Sequence, residues 1–598
     1  MKQILWNLSP LLLSDDDPQL EKKRKAVERE SNNFIKKWGK RSDYLKSPLA
    51  LKQALDDYER WSRFYGPDGD AGYYLWLRRS QEQNNASLRA KFNTIDYFSR
   101  KIANDMQFFH LRIAKLPVEK QKVFLGHPEL RIYRHFLERI FAEARFLLSE
   151  PEEKIMTLKS STSYSNWIRM TSGFLAKEER KVLLEDGTCA QKSFSEILSL
   201  MNSRKKRVRD AAASAFNKIL SSYTDVAEAE INSVLENRKV DDDLRSIPRP
   251  DLSRHISDDI DTEVVDALVE SVSERFSLSR RYYAFKARLL KVRQLEYHER
   301  NVEYGNISGD FTFPFSVKLI RKVLKKLDGK FLDIMDRFSK NGQFDVYPRK
   351  GKTGGAFCAH HLISQPTYIL LNHTDRLSDV LTLAHELGHG INNELIREKQ
   401  HALDFGTPTS TAEVASTFME DFVLEEILTE ADNDLKLAIM VKKLNDDVST
   451  IFRQIACYRF EQDLHRVFRE KGYLSKEEIG DLFRKNMAAY MGKSVAQSPG
   501  SENWWIYWSH IRSFFYVYSY ASGLLISKSL QRSTKENPLF INKVKEFLAA
   551  GLSESPEIIF RRMGVDIANK AFWDHGLNEV ERLLDETVAL ARKTGKLR

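Results

Sequence analysis

Two histidines four residues apart, with a glutamate beside the first, are the residues of this sequence best placed to do chemistry. They form His385-Glu386-Leu387-Gly388-His389. On a helix, residues four apart lie on one face, one turn from each other. Each imidazole can offer a neutral ring nitrogen to the same tetrahedral metal ion, most often zinc. Glu386 lies where a carboxylate can reach a water beside that metal, as in the H-E-x-x-H motif of zinc hydrolases.

The residues around this pentapeptide predict the helix that it requires. Ser378 and Asp379 suit a helix start. Apolar residues then recur at helical spacing: Val380, Leu381, Ala384, Leu387 and Ile391. We therefore predict a core-packed helix over 377–395. The alternative is a buried helix whose polar side chains only hydrogen-bond to each other, but such a cluster without a metal would be costly to desolvate.

A zinc site of this kind needs a third protein ligand, and several downstream side chains are candidates: His401, Asp404, Glu413, Glu420 and Asp421. Glu413 could ligate the metal. It could equally close a capping box, Ser410-Thr411-Ala412-Glu413, at the start of a helix over 412–428. Glu420 lies two turns further along the same face. It could orient a histidine ligand or remain an exposed charge.

A second stretch, 503–522, is dense in aromatic residues and contains one histidine, His510. Aromatic residues at this density usually form core. Tyrosines also recur at every second position, Tyr516, Tyr518 and Tyr520, which puts several hydroxyl groups near one imidazole. Such groups suit hydrogen bonding to an oxyanion. The residues alone leave both interpretations open.

Strand character is confined to the middle of the chain, at 343–347 and 368–371. Between these runs lies a glycine-rich loop over 351–358. It lacks the spacing and the Lys-Ser/Thr end of a phosphate-binding P-loop. We predict instead a small sheet whose glycines let another backbone approach closely, as a peptide pairing with a sheet edge would.

Elsewhere helical periodicity predominates. Helical segments are predicted over 19–38, 49–65, 74–114, 130–148 and 204–235. A helix start is predicted at Ser149, where Pro151 and two glutamates follow in the first turn. Gly187 marks a break. The fold class expected from these patterns is mainly α.

The amino-acid composition limits the classes of protein to which the chain can belong. The chain has 598 residues, of which 42% are apolar and 30% charged, so it is globular and long enough for a large core. Its formal net charge of +10 could suggest nucleic acid. The basic clusters at 22–25 and 204–209 lie in helical polar sequence without interleaved aromatics, so we predict no nucleic-acid binding. No apolar run reaches the roughly 18 residues of a membrane span.

The cysteines and the N-terminus indicate a compartment. Cys189, Cys358 and Cys457 are scattered and form no CxxC pair, which favours a reducing environment. The apolar run over 4–13 is interrupted by Asn7 and Pro10 and lacks a small-residue cleavage site, so it does not resemble a signal peptide. We expect a cytoplasmic protein.

Taken in order, these motifs resemble the oligoendopeptidase F branch of the thimet-oligopeptidase-like zinc metallopeptidases. The similar segments are 383–389, 412–418, His510 with 515–520, 355–358, 564–567 and 6–9. They cover nearly the whole chain, and the ordered set is far more specific than the pentapeptide.

The resemblance implies a mainly helical, two-lobed fold around a deep substrate channel, with a small β-sheet beside the H-E-x-x-H helix. It implies an N-terminal helical region over 1–195 that partly covers the channel, and a catalytic domain over 196–598. One Zn²⁺ per chain is expected on His385, His389 and Glu413. The implied activity is endopeptidase hydrolysis of short, unstructured oligopeptides, with Glu386 as the general base.

Further residue roles follow from the same resemblance. His510 and Tyr518 match positions that stabilise the transition state. Gly355 and Ala356 match the loop that lies along the substrate backbone, and Tyr516 is expected to contact substrate. The oligomeric state is not predicted.

Two positions depart from the family pattern. Asn392 stands where a histidine is common, and Arg512 stands where a tyrosine is common. Arg512 could instead grip a substrate carboxylate, which would favour cleavage near a peptide's C-terminus. Alternatives to an endopeptidase are therefore a metallocarboxypeptidase-like activity and a non-catalytic peptide-binding protein on the same fold. Glu386 argues against the second, because binding alone does not require it.

Overall fold

The computed structural model describes residues 3–307 and 309–597, and their contacts group the chain into two compact units. The first unit comprises Met1–Arg145, Ser308–Thr429 and Leu530–Val565. The second comprises Phe146–Ile307, Glu430–Ser529 and Asp566–Arg598. The predicted division at 195/196, as a boundary between a covering region and a catalytic domain, stays a prediction.

The first unit opens with seven helices: α1 (Gln19–Trp38), α2 (Pro48–Phe64), α3 (Gly69–Gln81), α4 (Ala86–Met106), α5 (Phe108–Ala114), α6 (Val118–Gly126) and α7 (Arg134–Ala144). The predictions over 19–38 and 49–65 are confirmed within a residue. The predicted stretch over 74–114 is divided into three helices. Its first division falls where Asn85 accepts the Leu88 N–H and caps α4.

The second unit begins with a helical segment that also contains a β-hairpin. Its helices are α8 (Glu150–Ser160), α9 (Asn166–Leu175), α10 (Phe194–Leu200), α11 (Lys206–Ser222), α12 (Thr224–Leu244), α13 (Leu252–Ser257), α14 (Thr262–Glu274) and α15 (Phe276–Leu289). The antiparallel strands β1 (Glu179–Leu183) and β2 (Cys189–Ser193) flank Gly187, whose φ of 86° makes the turn. The helix start predicted at Ser149 is confirmed, and the structure adds a capping box between Ser149 and Glu152.

The middle of the chain returns to the first unit and carries its sheet. The elements are α16 (Phe313–Leu327), α17 (Gly329–Lys340), β3 (Phe344–Asp345), β4 (Phe357–Ala359), β5 (Tyr368–Leu370), α18 (Leu377–Lys399) and α19 (Val414–Glu430). The strand order is β3-β5-β4, with β3 parallel and β4 antiparallel to β5. This confirms the small sheet and makes β4 an edge strand.

The remaining helices are α20 (Asn433–Asp447), α21 (Gln454–Lys471), α22 (Lys476–Met491), α23 (Tyr518–Glu536), α24 (Ile541–Leu548), α25 (Pro556–Arg562) and α26 (Lys570–Lys593). A 3₁₀ turn over Ser509–Arg512 precedes α23. The mainly α class is confirmed. In the described part of the chain, no helix combines the length and apolar character needed to cross a bilayer.

The two faces of the three-stranded sheet pack against different partners. On one face, the side chain of Ile369 in β5 lies against Gly390 of α18. On the other, Tyr368 joins a core that includes Trp6 and Tyr73. Trp6 Nε1 also donates to Ile369 O over 2.9 Å. The H-E-x-x-H helix is therefore backed directly by the sheet.

Candidate metal centre and catalytic residues

The helix that carries the two histidines is longer than predicted. It spans Leu377–Lys399, whereas the sequence predicts 377–395. Its start is held by Asp379, whose carboxylate accepts the backbone N–H groups of Thr374 and Arg376 at 2.7 and 3.0 Å. The predicted apolar stripe, Val380 and Leu387 among it, is buried. The two histidines lie on a different face of the helix from that stripe and remain partly exposed.

Gly388, between the two histidines, brings α18 close to α19. A Cβ at this position would lie 2.6 Å from Ala415 O and 2.6 Å from Ser416 Cα. Any larger residue would push the start of α19 away. The glycine inside the pentapeptide therefore allows the residue just before α19 to approach the histidines.

That residue is Glu413, and its carboxylate lies between the two imidazoles. Glu413 Oε2 is 3.3 Å from His385 Nε2 and 3.7 Å from His389 Nε2. The three ligand atoms all lie within 4.8 Å of one another. Two imidazole nitrogens and one carboxylate oxygen are a donor set that suits zinc and leaves one tetrahedral position open. The structure thus brings together the three predicted ligands.

The electrostatics of this group favour a positive charge among the donors. Burial would lower the pKa of His385, but hydrogen bonds with Glu413 and Glu420 outweigh it and raise that pKa to about 10. Burial and the neighbouring His385 lower the pKa of His389 to about 4. Burial opposes ionisation of Glu413, yet its hydrogen bond with His385 lowers its pKa to about 2. A divalent cation bound among the three side chains would supply the positive charge that this group favours.

Glu420 contacts the other nitrogen of the first histidine. Its Oε2 lies 3.3 Å from His385 Nδ1. A carboxylate at Nδ1 selects the tautomer and the ring orientation of a metal ligand. The sequence left two roles open for Glu420, orientation of a histidine ligand and an exposed charge. This contact fits the first.

The capping box predicted as the alternative for Glu413 does not form. The helix begins at Val414, so Glu413 precedes its first residue instead of occupying the third helical position. Its carboxylate accepts from Ser416 Oγ at 3.1 Å. Two other candidate ligands, His401 and Asp404, pair with each other at 3.1 Å.

Asn392, the first departure from the family pattern, connects α18 to a later part of the first unit. Its Nδ2 donates to Leu548 O over 2.5 Å, and its Oδ1 accepts from Thr407 at 3.3 Å. Asn392 is 4% exposed. Its amide therefore has a structural role in this chain.

Glu386 lies at the edge of the small sheet. It is 8% exposed and its carboxylate accepts the backbone N–H of Cys358 in β4. Burial raises the pKa of Glu386 to about 7, with a further contribution from the negative charge of Glu413. The carboxylate predicted to act as the base is thus adjacent to the edge strand.

The glycine-rich loop before β4 is held from one side and open on the other. Asn372 Nδ2 donates to Thr353 O at 2.9 Å and to Gly355 O at 2.6 Å. The buried Lys352 ammonium pairs with Asp345 at 2.8 Å. Gly355 has a φ of 74°, and a Cβ there would meet nothing within 4 Å. This loop, which continues through Ala356 into β4, has room for another backbone.

In the second unit, the aromatic stretch gathers three partly exposed side chains. His510 Nε2 lies 3.2 Å from the Tyr520 hydroxyl. The ring of Tyr516 stacks on His510 with centroids 6.0 Å apart and meets Tyr520 edge to face at 5.5 Å. These groups form the polar neighbourhood that the sequence suggested.

Tyr518 does not join them. Its side chain is fully buried, and its hydroxyl donates to Asp258 Oδ2 over 2.9 Å. The role of Tyr518 in transition-state stabilisation stays a prediction, but it is the Tyr520 hydroxyl that lies beside His510, whereas the Tyr518 hydroxyl binds Asp258. Because α23 begins at Tyr518, Tyr518 and Tyr520 are two residues apart on a helix and do not share a face.

Arg512 is also engaged inside the second unit. Its Nε and Nη2 donate to the two carboxylate oxygens of Glu230 at 2.6 and 3.0 Å, and Arg512 is 6% exposed. Its Nη1 donates to Trp508 O at 3.1 Å. A guanidinium held by a buried carboxylate cannot also bind a peptide terminus. The hypothesis that Arg512 grips a substrate carboxylate is therefore not supported.

The turn between His510 and Tyr520 is strained. Phe514 and Phe515 have φ angles of 48° and 55°. Bulky residues rarely adopt this left-handed conformation, which costs about 1–3 kcal/mol each. Other contacts must hold it, and such strain concentrates at functional sites.

A second group of potential metal donors, Asp210, His298 and Glu299, has a simpler explanation. Lys206 lies 3.0 Å from Asp210 and 3.2 Å from Glu299. Arg209 pairs with Glu299 at 2.6 Å. The two carboxylates are thus balanced by two cations of α11, which leaves the group around His385 as the better metal site.

The family to which the sequence belongs is decided by comparison with protein-family models. The model described as peptidase family M3 matches residues 199–579, which is more than half of the chain. The chain belongs to peptidase family M3. A second model, described as oligopeptidase F, matches residues 112–182 and places this M3 peptidase in the oligopeptidase F branch.

Full-length relatives agree with this assignment. The M3 peptidase is 25% identical to an oligoendopeptidase F homologue of Borreliella burgdorferi, over 97% of each chain. A candidate peptidase from Chlamydophila abortus has the same fold, with a TM-score of 0.86, 22% identity and coverage of 98% of both chains. Oligoendopeptidase F from Enterococcus faecium gives a TM-score of 0.71 at 20% identity, covering 96% of this chain and 99% of its own.

Proposed function

We propose that this M3 peptidase is a zinc-dependent endopeptidase that hydrolyses short, unstructured oligopeptides. The main observation behind the proposal is that His385, His389 and Glu413 lie close together. Glu386 is beside them and contacts the edge strand β4. The names of the oligoendopeptidase F relatives support the substrate class. Zinc is proposed because two imidazoles and one carboxylate are a common catalytic zinc set.

The residues divide the chemistry among them. When bound, a zinc ion would act as a Lewis acid toward the scissile carbonyl and make water more acidic. Glu386 accepts the proton of the attacking water and delivers it to the leaving amine. Glu420 keeps the Nδ1 proton of His385 in place, which leaves Nε2 as the nitrogen that would bind the metal. No covalent acyl intermediate is needed.

Substrate binding and charge stabilisation are assigned to two further sets of residues. The open loop at Gly355 and Ala356, which continues into the edge strand β4, suits a peptide that pairs as an added strand. His510 and Tyr520 are proposed to donate hydrogen bonds to the oxyanion of the tetrahedral intermediate. Their mutual contact and partial exposure support this assignment over Tyr518.

Removal and return of the metal tests the proposal. The purified protein would be stripped with a chelator, verified as metal-free by elemental analysis, and assayed on an internally quenched peptide. Activity should disappear and return when one equivalent of Zn²⁺ is added. Full activity in protein verified to be metal-free would overturn the mechanism.

Mapping of the products tests the class of peptidase. Peptides with an acetylated N-terminus and an amidated C-terminus should still be cut at internal bonds, as read by mass spectrometry. Sequential loss of single C-terminal residues, confined to free-acid peptides, would instead identify a carboxypeptidase.

A further inference from the structure

The strained turn before α23 is held through its backbone by side chains from two other helices of the second unit. Arg254 of α13 donates from Nη2 to Ser513 O over 2.7 Å and from Nε to Phe514 O over 3.2 Å. Glu461 of α21 accepts the Phe515 N–H at 2.5 Å. A cation thus binds the carbonyls, and a carboxyl group binds the following N–H.

The face of α21 that contacts the turn is aromatic apart from Glu461. Tyr458, Glu461 and His465 share this face by helical spacing. The ring of His465 lies 5.0 Å from Phe514 and 4.8 Å from Phe515, centroid to centroid. Since these rings are buried, the Phe515 N–H must find its partner within the protein, and Glu461 supplies it.

Burial of the Glu461 carboxyl group at this position is energetically unfavourable. It is fully buried, and its Oε1 has no hydrogen-bond partner among the residues described. Burial raises the pKa of its carboxyl group to about 8. An apolar residue would pack into this surface at lower cost. The contact with Phe515 N–H is the feature that requires a polar side chain at this position.

We propose that Glu461 is a positioning residue for the peptidase reaction. By binding the Phe515 N–H, it keeps Phe514 and Phe515 in the left-handed conformation that directs the chain from His510 into α23. That path places the Tyr520 hydroxyl 3.2 Å from the His510 ring. The inference rests on the proposed function of His510 and Tyr520, and it adds a residue that touches neither of them.

Two substitutions separate the hydrogen bond from the packing. Glu461→Gln keeps an oxygen acceptor for Phe515 N–H, whereas Glu461→Leu has a similar size and no acceptor. We expect Glu461→Leu to lower kcat by at least about 10-fold with KM within about twofold, since a displaced oxyanion donor costs about 10²–10³ in kcat. Glu461→Gln should keep kcat within about twofold of wild type at pH 7.

A neighbouring core residue provides the control for general destabilisation. Phe460 precedes Glu461 in α21 but packs on Phe483, with ring centroids 5.3 Å apart. Phe460→Leu should lower Tm and leave kcat unchanged. If it lowers kcat as much as Glu461→Leu does, loss of stability explains the effect and the positioning role is wrong.

A readout independent of turnover uses the histidine rings. The chain has 14 histidines, and the ¹³C signal of His510 in labelled protein can be assigned by its loss in His510→Ala. Glu461→Leu should shift that signal, and in the His510→Ala background it should cost a smaller factor in kcat than in wild type, because only Tyr520 is left to be displaced. An unshifted signal together with wild-type kcat in Glu461→Leu would overturn the inference and leave the proposed function standing. Unchanged kcat in His510→Ala alone would instead refute the proposed role of His510.

Discussion

Glu420 Oε2 lies 3.3 Å from Nδ1 of His385, while Glu413 Oε2 lies 3.3 Å from Nε2 of the same ring. One imidazole is thus held between two carboxylates supplied by a single stretch of chain, the start of α19 and its second turn. Because Glu420 holds a proton at Nδ1, Nε2, on the side of Glu413, is the nitrogen that would bind a metal ion.

This relationship predicts that Glu420 sets metal affinity. Glu420→Ala should weaken zinc binding by about 10–100-fold, because His385 loses the partner that orients it. Competition with a chromophoric chelator measures the change. Glu425→Ala is the control: it lies on the same helix, is exposed, and pairs with Lys535. Equal zinc affinity for Glu420→Ala and wild type would contradict the orienting role.

Glu386→Gln should separate metal binding from proton transfer. The amide keeps the size of the carboxylate but cannot accept the water proton, so kcat should fall by about 10²–10⁴. Zinc content by elemental analysis should stay at one per chain. Glu398→Gln, an exposed position on the same helix, should behave as wild type. A fast Glu386→Gln enzyme would exclude this residue as the base.

The two tyrosines near His510 should respond in opposite ways to loss of the hydroxyl. Tyr520→Phe should lower kcat by about 10²–10³ with little change in Tm. Tyr518→Phe should leave kcat near wild type and reduce the free energy of unfolding by about 1–3 kcal/mol, because the buried Asp258 loses the hydrogen bond that Tyr518 donates. Kinetics and thermal unfolding of both variants test the assignment. The reverse pattern would restore Tyr518 as the catalytic residue.

Arg512 should behave as a structural residue. Arg512→Met leaves Glu230 buried without its cation and should destabilise the fold by about 3–5 kcal/mol in urea unfolding. Removing both charges, in Arg512→Met with Glu230→Met, should recover most of that loss. In the wild-type enzyme, a peptide acid and its C-terminal amide should be cut at the same bonds. A strong preference for the free acid would show that some cationic group does bind the C-terminal carboxylate of the peptide.

The stability of the second unit should depend on pH through Glu461. Its pKa is raised by burial from an ordinary 4.5 to about 8, so the folded state binds a proton that the unfolded state releases. This stabilisation is complete below pH 4.5 and is lost as pH rises through about 8. Glu461→Gln has no such loss. Its Tm relative to wild type should therefore rise between pH 5 and pH 9, as measured by calorimetry, and a constant difference would contradict the shift.

Local periodicity was enough to predict the features that depend on neighbouring residues. The helix carrying His385 and His389, the helix over 19–38 and the helix start at Ser149 all follow from residues close together in the sequence. Such patterns reflect burial of one helix face and satisfaction of terminal N–H groups, which are local requirements. The hairpin β1–β2 lacked this kind of signal, because its strands are short and mostly exposed or half-buried.

The sequence by itself determined the chemistry available: two histidines on one helix face, a glutamate beside them, and a tyrosine-rich stretch with one histidine. Only the tertiary structure decided which acidic and aromatic residues join them. Gly388 allows α19 to approach α18, which brings Glu413 to the histidines instead of into a capping box. Arg512 meets Glu230 across 282 residues of chain, and Tyr518 meets Asp258 across 260. Those contacts depend on packing between segments that are distant in the sequence, so residue spacing alone could not predict them.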